Sequence, residues 1–409
     1  MRIFRGPFLI WVIILFFVSF SFGSGVRVLS NLSVATKSFS IPFDFVTSNQ
    51  NFNLENRFII FSRNYPTDSY MIHSYDRKDV TLVTEISEFK WLFMNQSFSV
   101  GRNYIRSGPT MRNAGLFSSF TPSLNHASLH LELWDKVEYN YHLIRLDDRQ
   151  SDEGAYKRWG YYRRLQFPVG TRLILGLKDF VLATGVQRGV DFAYLNPAAI
   201  FQLEQLHGNV EEGTPGANND NQMMGMDIDF KLGNQKRFYF DFLLDEFQID
   251  VADRDHAQDV FGLTLGFEQK STENSIFIEY WLASPWLYTN GGKFTNVEVN
   301  QIPLGYIAPN AYGFSFGWKH NFEKHQTFCL INMHKQGDQT VSTPWDSVDN
   351  IISLGLPDAK WEPELDLRFQ YAEHKILKEF RLTYNLLNSR GFQLIATFQG
   401  LNMEYLSND

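Results

Sequence analysis

Short segments in which apolar and polar residues alternate strictly are the feature that most constrains this chain. In segment 226–232, Met, Ile, Phe and Leu occupy every second position, and Asp and Lys lie between them. Because successive side chains of a β-strand point to opposite faces, this spacing gives one apolar and one polar face. The pattern recurs at 238–245, 261–268, 312–319 and 364–371. The repetition predicts an all-β protein.

The chemistry of the two strand faces indicates which kind of β-protein this is. The apolar faces are unusually aromatic, and the opposite faces carry Asp, Glu, Arg, Lys and Gln. A soluble sandwich or propeller also alternates, but its polar faces do not line the interior. An aromatic content of 16% agrees with rings gathered at two membrane interfaces. We therefore expect a transmembrane antiparallel β-barrel of about 14–18 strands, with an even number.

The N-terminus has the layout of a secretory signal peptide. An apolar run at 8–18 follows two arginines and precedes small residues within 21–25. The run is too short to cross a bilayer comfortably, so we predict cleavage after Gly23. An uncleaved anchor is the alternative, because Phe20 and Phe22 extend the apolar character. No later segment reaches the roughly 18 consecutive apolar residues of a membrane helix, so any span must come from strands.

We predict three regions along the chain. Residues 1–23 are the signal peptide, residues 24–79 are an N-terminal segment that is periplasmic or plug-like and holds the first strands, and residues 80–409 form the outer-membrane barrel. A short helix is expected after Asn196-Pro197, with Asn196 as its N-cap and Pro197 in its first turn.

Three long loops are expected at 211–221, 287–310 and 336–363, where Gly, Pro, Asn and Asp accumulate. In barrels of this kind the short turns face the periplasm and the long loops face outward. We therefore place all three loops at the cell exterior or folded into the lumen.

Composition and spacing exclude several classes of function. The net charge of -8 argues against a partner nucleic acid, and the single cysteine leaves no intramolecular disulfide framework. Histidines are scattered without metal-ligand spacing, and no nucleophile-elbow motif is present. Asp245 and Glu246 are adjacent in a predicted strand and point to opposite faces, so they cannot act together as a glycosidase pair. We expect no enzyme activity, no cofactor and no metal.

Two groups of residues, each with several arginines, are candidates for binding an acidic sugar, because a guanidinium matches a carboxylate through two parallel hydrogen bonds. The first group is Arg102, Arg106 and Arg112, and the second is Arg158, Trp159, Arg163 and Arg164. We expect Arg102 to point into the lumen. The alternative for the first group is structural, since these residues can balance lumen carboxylates such as Asp227 and Asp245. The alternative for the second group is an interfacial aromatic girdle, and we favour the structural interpretation of both.

A series of short motifs follows in a fixed order through residues 80–260. They are Gly101-Arg102, Gly108-Pro109, the Ser-x-x-x-Pro-Ser pattern that ends at Ser123, Tyr194 to Pro197, Asn219 to Asn221, Gly225 to Asp227, and Leu243 to Phe247. In this order the motifs resemble those of the capsule-assembly Wzi family of outer-membrane proteins. The chain departs from that family in having a short stretch before Val80, where the prototype carries a helical bundle, and in having Lys178 beside Asp179.

The resemblance implies an outer-membrane barrel of a Gram-negative bacterium that anchors exported capsular polysaccharide, in the manner of a lectin, at the cell surface. It implies structural roles for Gly101, Gly108, Pro109, Asn196, Pro197, Asn221 and Asp227. Loops 287–310 and 336–363 are the expected polysaccharide contacts. The expected partners are surface or capsular polysaccharide, outer-membrane lipid and, during biogenesis, the barrel-assembly machinery.

Two other classes of function stay open. A porin or transporter would pass solute through the charged lumen. An outer-membrane lipid A or glycan hydrolase would need a nucleophile and a base clustered at the barrel rim, and the sequence shows no such cluster.

Overall fold

The computed structural model describes most of the chain between residues 26 and 403. The described residues are 26–33, 40–48, 51–62, 74–77, 80–134, 136–196, 220–246, 260–289, 294–337, 340–342, 359–371, 377–385 and 392–403. The predicted signal peptide, the predicted helix after Asn196 and most of the predicted loop 211–221 lie outside these residues.

Strands dominate the described residues. The first eleven are β1 Val26–Ser33, β2 Ser40–Ser48, β3 Phe52–Ser62, β4 Ser74–Arg77, β5 Val80–Phe93, β6 Gln96–Asn103, β7 Leu124–Leu133, β8 Val137–Arg145, β9 Arg149–Ser151, β10 Gly154–Val169 and β11 Leu173–Val186. The next eleven are β12 Asn221–Lys231, β13 Lys236–Glu246, β14 Val260–Lys270, β15 Asn274–Ala283, β16 Glu298–Val299, β17 Ile302–Pro303, β18 Ala311–Asn321, β19 His325–Gln336, β20 Glu362–Tyr371, β21 Leu377–Asn385 and β22 Phe392–Met403. One helical turn, α1, spans Phe192–Leu195.

Twenty of these strands form one sheet, and its pairing closes on itself. Every pairing is antiparallel, and β1 pairs with β2 on one side and with β22 on the other. Within the described residues, eighteen strands go round the ring, because β4 and β9 only extend its edge. The predicted antiparallel barrel with an even number of strands is confirmed.

The first strands of the ring come from the predicted N-terminal segment. Strands β1, β2 and β3 all lie before residue 80, and β3 pairs directly with β5. Strand β5 runs without a break from Val80 to Phe93 and ends at a turn at Met94. Outward-facing Trp91 prolongs the alternation there.

The two faces of the wall separate as the alternation predicts. On β12 to β15 the outward positions are apolar and exposed: Met226, Phe230, Phe238, Leu265 and Ile278 are each 38–51% exposed. The positions between them point inward, and they include Asp227, Asp241 and Glu279, each no more than 1% exposed. Such exposed apolar rows are what a lipid-facing surface requires.

Short and long connections alternate round the ring. One end of the barrel carries tight turns such as those at 94–95, 170–172 and 271–273. The other end carries the long connections, among them 104–123 and 284–310. Long loops mark the extracellular end of barrels of this class, and we call the two ends extracellular and periplasmic on that basis. Among the described residues no helix has the length and hydropathy to cross a bilayer.

Candidate functional site

The connection between β6 and β7 does not extend outward but folds into the barrel. We call residues 104–123 the inner loop. The Ser107 hydroxyl shares a hydrogen bond with the Tyr162 hydroxyl on β10. Arg112 Nη2 donates to Glu364 Oε2 on β20 at 2.8 Å. Strand β20 lies eight places from β10 in a ring of eighteen, so the inner loop crosses the lumen almost along a diameter.

Glu279 on β15 holds the middle of the inner loop. Its carboxylate accepts hydrogen bonds from the backbone N–H groups of Met111 at 2.6 Å, Arg112 at 3.1 Å and Asn113 at 3.0 Å. Asn113 Nδ2 and the Tyr239 hydroxyl add donors at 2.8 and 3.0 Å. Burial of a carboxylate is costly unless donors surround it, and here the loop backbone supplies most of them.

Four charged side chains form a neutral cluster beneath the first half of the inner loop. Arg164 donates two hydrogen bonds to Asp227, at 2.9 and 2.7 Å. Lys178 Nζ lies 3.5 Å from Asp227 and also donates to Asp241. The strand register brings the four residues together: Arg164 on β10 is opposite Lys178 on β11, and Asp227 on β12 is opposite Asp241 on β13. The two positive and two negative charges therefore give this group a net charge of zero. We call these four residues the charge cluster.

Two glycines bring the inner loop onto the charge cluster. Gly108 has φ +76°, and an added Cβ would lie 2.8 Å from Asp241 Oδ2. Gly115 donates its N–H to Asp241 Oδ1 at 3.1 Å. The Gly108-Pro109 motif therefore has a structural explanation, since only glycine allows both the left-handed backbone and the close approach.

A second long connection folds inward above the inner loop with its described residues, 284–289 and 294–310, and we call these residues the capping loop. Its hairpin β16–β17 presents Leu304, whose carbonyl accepts the N–H of Phe117. The Tyr288 hydroxyl donates to the Gly115 carbonyl at 2.7 Å. Tyr288, Leu304 and Phe117 are 0% exposed, and they belong to one apolar cluster shared by the two loops and the wall. The two loops therefore meet through a buried, largely apolar interface.

Further charges secure the capping loop at its rim. Arg158 is 1% exposed, and it donates to Asp147 at 2.6 Å and to the Phe294 carbonyl at 3.1 Å. Arg149 pairs with Glu298 of the capping loop at 2.9 Å. Burial raises the pKa of the Glu298 carboxyl, although Arg149 and Arg158 attract its charged form.

The other residues predicted to bind an acidic sugar lie in three environments. Arg112, Arg158 and Arg164 point inward, and each is paired with a carboxylate. Arg106 lies exposed on the inner loop. Trp159 and Arg163 are on the outer face, where Arg163 pairs with Asp179 at 2.6 Å.

The expectation that Arg102 points into the lumen is wrong. Gly101 takes the inward position of β6, opposite His126, and Arg102 follows on the outer face with Val100. Val100 is 45% exposed. The register therefore decides the direction, whatever the charge of the side chain.

The other predicted residues have defined places. Asp245 faces inward and accepts the Tyr288 N–H of the capping loop at 2.7 Å. Asn221 begins β12, and its Nδ2 donates to the Thr295 carbonyl at 3.1 Å. Asn196 follows α1, and its N–H bonds to the Ala193 carbonyl at 3.3 Å. Pro197 lies outside the described residues.

Sequence analysis missed Glu279, Tyr288 and Tyr306, which hold the two loops. Glu279 could have been found, because it is an acidic residue at an inward position of the alternation in β15. The two tyrosines carry no such signal. In the part of the chain that the structure describes, no group of three or more His, Cys, Asp or Glu side chains is placed to hold a metal ion.

Comparison with solved structures gives the same architecture. The chain is similar to Wzi of Escherichia coli, an outer-membrane carbohydrate-binding β-barrel involved in group 1 capsule assembly, with 14% identity, a TM-score of 0.62, and 95% of this chain and 87% of that chain covered. It also matches two Pseudomonas aeruginosa structures: OccK2 (OpdF) in complex with glucuronate, at 10% identity, TM-score 0.46 and 93% and 95% coverage, and OprD, at 9% identity, TM-score 0.43 and 94% and 94% coverage. No family model and no curated protein matches the chain. The fold is that of an outer-membrane β-barrel.

Proposed function

We propose that this protein is a plugged, non-catalytic barrel in the outer membrane of a Gram-negative bacterium and that it holds exported surface polysaccharide at the cell surface. The observation that carries the proposal is the inner loop, which crosses the lumen and is fixed to opposite walls by Tyr162 on β10 and Glu364 on β20. Glu279 on β15 holds the middle of the loop. A fixed crossing of this kind suits a binding platform better than a channel. The similarity to a carbohydrate-binding barrel supports the same choice.

The capping loop contributes to the plug more than to the outer surface. Leu287, Tyr288, Leu304 and Tyr306 are 0% exposed, so these side chains are not available to a polymer. The proposed contacts are therefore the exposed groups at the extracellular end. Arg106 is exposed on the inner loop, whereas Arg112 is tied to Glu364. Arg106 is our candidate for an acidic sugar.

The first test is to delete the gene and measure capsular polysaccharide on washed cells and in the culture supernatant. We expect polymer to move from cells to supernatant while total synthesis stays constant, and we expect the full chain supplied in trans to restore it. An unchanged distribution in the deletion strain would contradict the proposal.

Binding by the purified protein is the second test. Arg106→Gln should lower the affinity for an acidic polymer about tenfold, which is the size of one lost charge-assisted contact. Lys236→Gln, at an exposed cation of the periplasmic end, is the matched control and should bind as the wild type does. Equal binding by all three proteins would remove Arg106 from the site.

A pore is the second candidate function, because the inward wall carries paired charges of both signs that could line a polar path. Conductance in planar bilayers separates the two candidates. A silent barrel agrees with a plugged anchor, and a steady open conductance favours transport.

A further inference from the structure

The outer wall carries a recess of about 550 Å³ at the extracellular ends of β5 to β8 and β10. A row of register partners lines it: Ser87, Arg102, Asn125, Arg145 and Trp159 are opposite one another in turn across these five neighbouring strands. Polar and cationic side chains therefore run side by side round this sector of the rim.

The recess faces the membrane and not the lumen. The next outward row towards the periplasm is Phe89, Val100, Ala127, Leu143 and Tyr161. Phe89 and Val100 are 41% and 45% exposed. A polar row directly above an exposed apolar row is the pattern of the boundary between headgroups and hydrocarbon. Because this is the extracellular end, the headgroups are those of the outer leaflet.

Arg102 is a buried cation that forms no ion pair with a carboxylate of the described residues. Its side chain is 4% exposed, and its Nε donates to Ser123 Oγ at 3.0 Å. Its two terminal nitrogens are buried and have no hydrogen-bond partner among the residues that the structure describes. A buried guanidinium without an anion is costly, so an acceptor from outside the chain would relieve it.

The two carboxylates of β5 beside this row, Glu85 and Glu88, have other hydrogen-bond partners. Glu85 accepts the Tyr104 hydroxyl and lies 3.7 Å from Arg57. Glu88 accepts Asn103 Nδ2 at 2.9 Å and lies 3.0 Å from His126. These two carboxylates therefore do not supply the missing acceptor.

We propose that the recess binds a phosphate group of a phosphorylated glycolipid of the outer leaflet, with Arg102 as its principal donor. A guanidinium matches phosphate through two parallel hydrogen bonds. Val100, Ala127 and Leu143 give the acyl chains an apolar path directly below. This binding is separate from polysaccharide holding, because it takes place on the opposite face of the wall.

Gly101 explains how Arg102 reaches this place. The glycine has φ +138°, and an added Cβ would collide with the Ser87 carbonyl oxygen of β5. Strands β5 and β6 can therefore approach closely at the recess, and the residue that follows is carried to the outer face. The Gly101-Arg102 motif therefore serves to place Arg102 in the proposed lipid site.

The test measures binding of diphosphorylated lipid A to the purified full chain in detergent by native mass spectrometry. We expect the wild type to retain one lipid A and Arg102→Gln to lower the affinity about tenfold or more. Lys335→Gln is the matched control, since Lys335 is an outward rim cation over Trp361 on a distant part of the wall. It should leave the affinity unchanged.

A second variant keeps the test valid if Arg102→Gln does not fold. Ala127→Trp fills the recess from the lipid side, leaves the guanidinium in place, and should lower the affinity to the same degree. Dephosphorylated lipid A should bind at least tenfold more weakly than the diphosphorylated form. Equal binding of the two lipids, or unchanged binding by both variants, would overturn the proposal. Displacement of lipid A by equimolar inorganic phosphate would overturn the assignment to a lipid.

Discussion

At the scale of single residues, the inward wall is a set of charges that neutralise one another. Lys178 is the centre of the charge cluster, because both Asp227 and Asp241 depend on it. Asp241 is 0% exposed, and within the described residues Arg164 donates its side-chain hydrogen bonds to Asp227. Removing one partner from such a group leaves a buried charge without compensation, which costs more than the pair contributes.

Lys178→Met is therefore expected to lower the free energy of unfolding by about 3–5 kcal/mol, as for other broken buried pairs. The measurement is urea unfolding of the protein in detergent micelles. Lys178→Met with Asp241→Asn removes both charges and keeps an acceptor for the Gly115 N–H, so most of the loss should be recovered. If the double variant is no more stable than the single one, burial of Asp241 is not the cause.

Gly108→Ala tests the contact between the inner loop and the charge cluster. Alanine at φ +76° costs about 1–2 kcal/mol by itself, and its Cβ would lie 2.8 Å from Asp241 Oδ2. Gly170→Ala is the matched control, because Gly170 has φ +67° and nothing within 4 Å of its added Cβ. We expect the first substitution to lower the free energy of unfolding by at least about 1 kcal/mol more than the second. Equal losses would mean that the backbone conformation alone matters.

Single residues were predictable where alternation was unbroken. Asp227 and Asp241 face inward as the spacing requires. Arg102 was misplaced because its charge was given more weight than its position, two residues after outward-facing Val100. The partners of each charge could not be derived from sequence, because they depend on the register between strands.

At the scale of elements, the inner loop is the part that sequence analysis described least well. Residues 104–123 are not among the three predicted long loops, and they form a connection that crosses the lumen. The donors that fix the inner loop are mostly backbone N–H groups, which every sequence has. A pattern of side chains cannot report them.

Glu279→Gln tests whether the inner loop closes the barrel. The amide has one acceptor oxygen where the carboxylate has two, and it carries no charge, so several of its bonds to the loop backbone weaken together. We expect the inner loop to leave the wall and conductance in planar bilayers to rise several-fold over the wild type.

Glu268→Gln is the control for this experiment. Glu268 is as deeply buried as Glu279, but its ion pairs run along the wall to Arg237 and Lys270. The conductance of the Glu268→Gln variant should stay at the wild-type value. A similar rise in both variants would point to a general loosening of the wall.

At the scale of the whole molecule, the barrel turns its apolar side outward. The free-energy cost of a charged residue on that side should therefore depend on whether lipid or water surrounds the barrel. Strand positions after residue 80 were well predicted for this reason: a lipid outside and charges inside enforce alternation along a strand. The eighteen strands that go round the ring in the described residues could not be counted from the sequence, because alternation is weak before residue 80 and the number of strands there was left open.

Leu265→Arg should distinguish a membrane-embedded barrel from a soluble one. Leu265 is 47% exposed in the middle of β14, so arginine there would be tolerated in water. In a bilayer we expect a loss of about 2–4 kcal/mol, as for arginine near the midplane. Met94→Arg, in a fully exposed turn, should cost about 0–1 kcal/mol. Refolding equilibria in lipid vesicles measure both, and equal costs would contradict the membrane placement.

The crossing of the lumen by the inner loop also sets the order of assembly. Gly115 and Asp241 are 126 residues apart in the chain, and Arg112 and Glu364 are 252 apart. Closing loops of this length is slow, because the entropy is lost before the contacts form. The last anchor of the inner loop is therefore absent until β20 has joined the wall. Folding is thus cooperative over most of the chain, and it does not proceed as a series of independent hairpins.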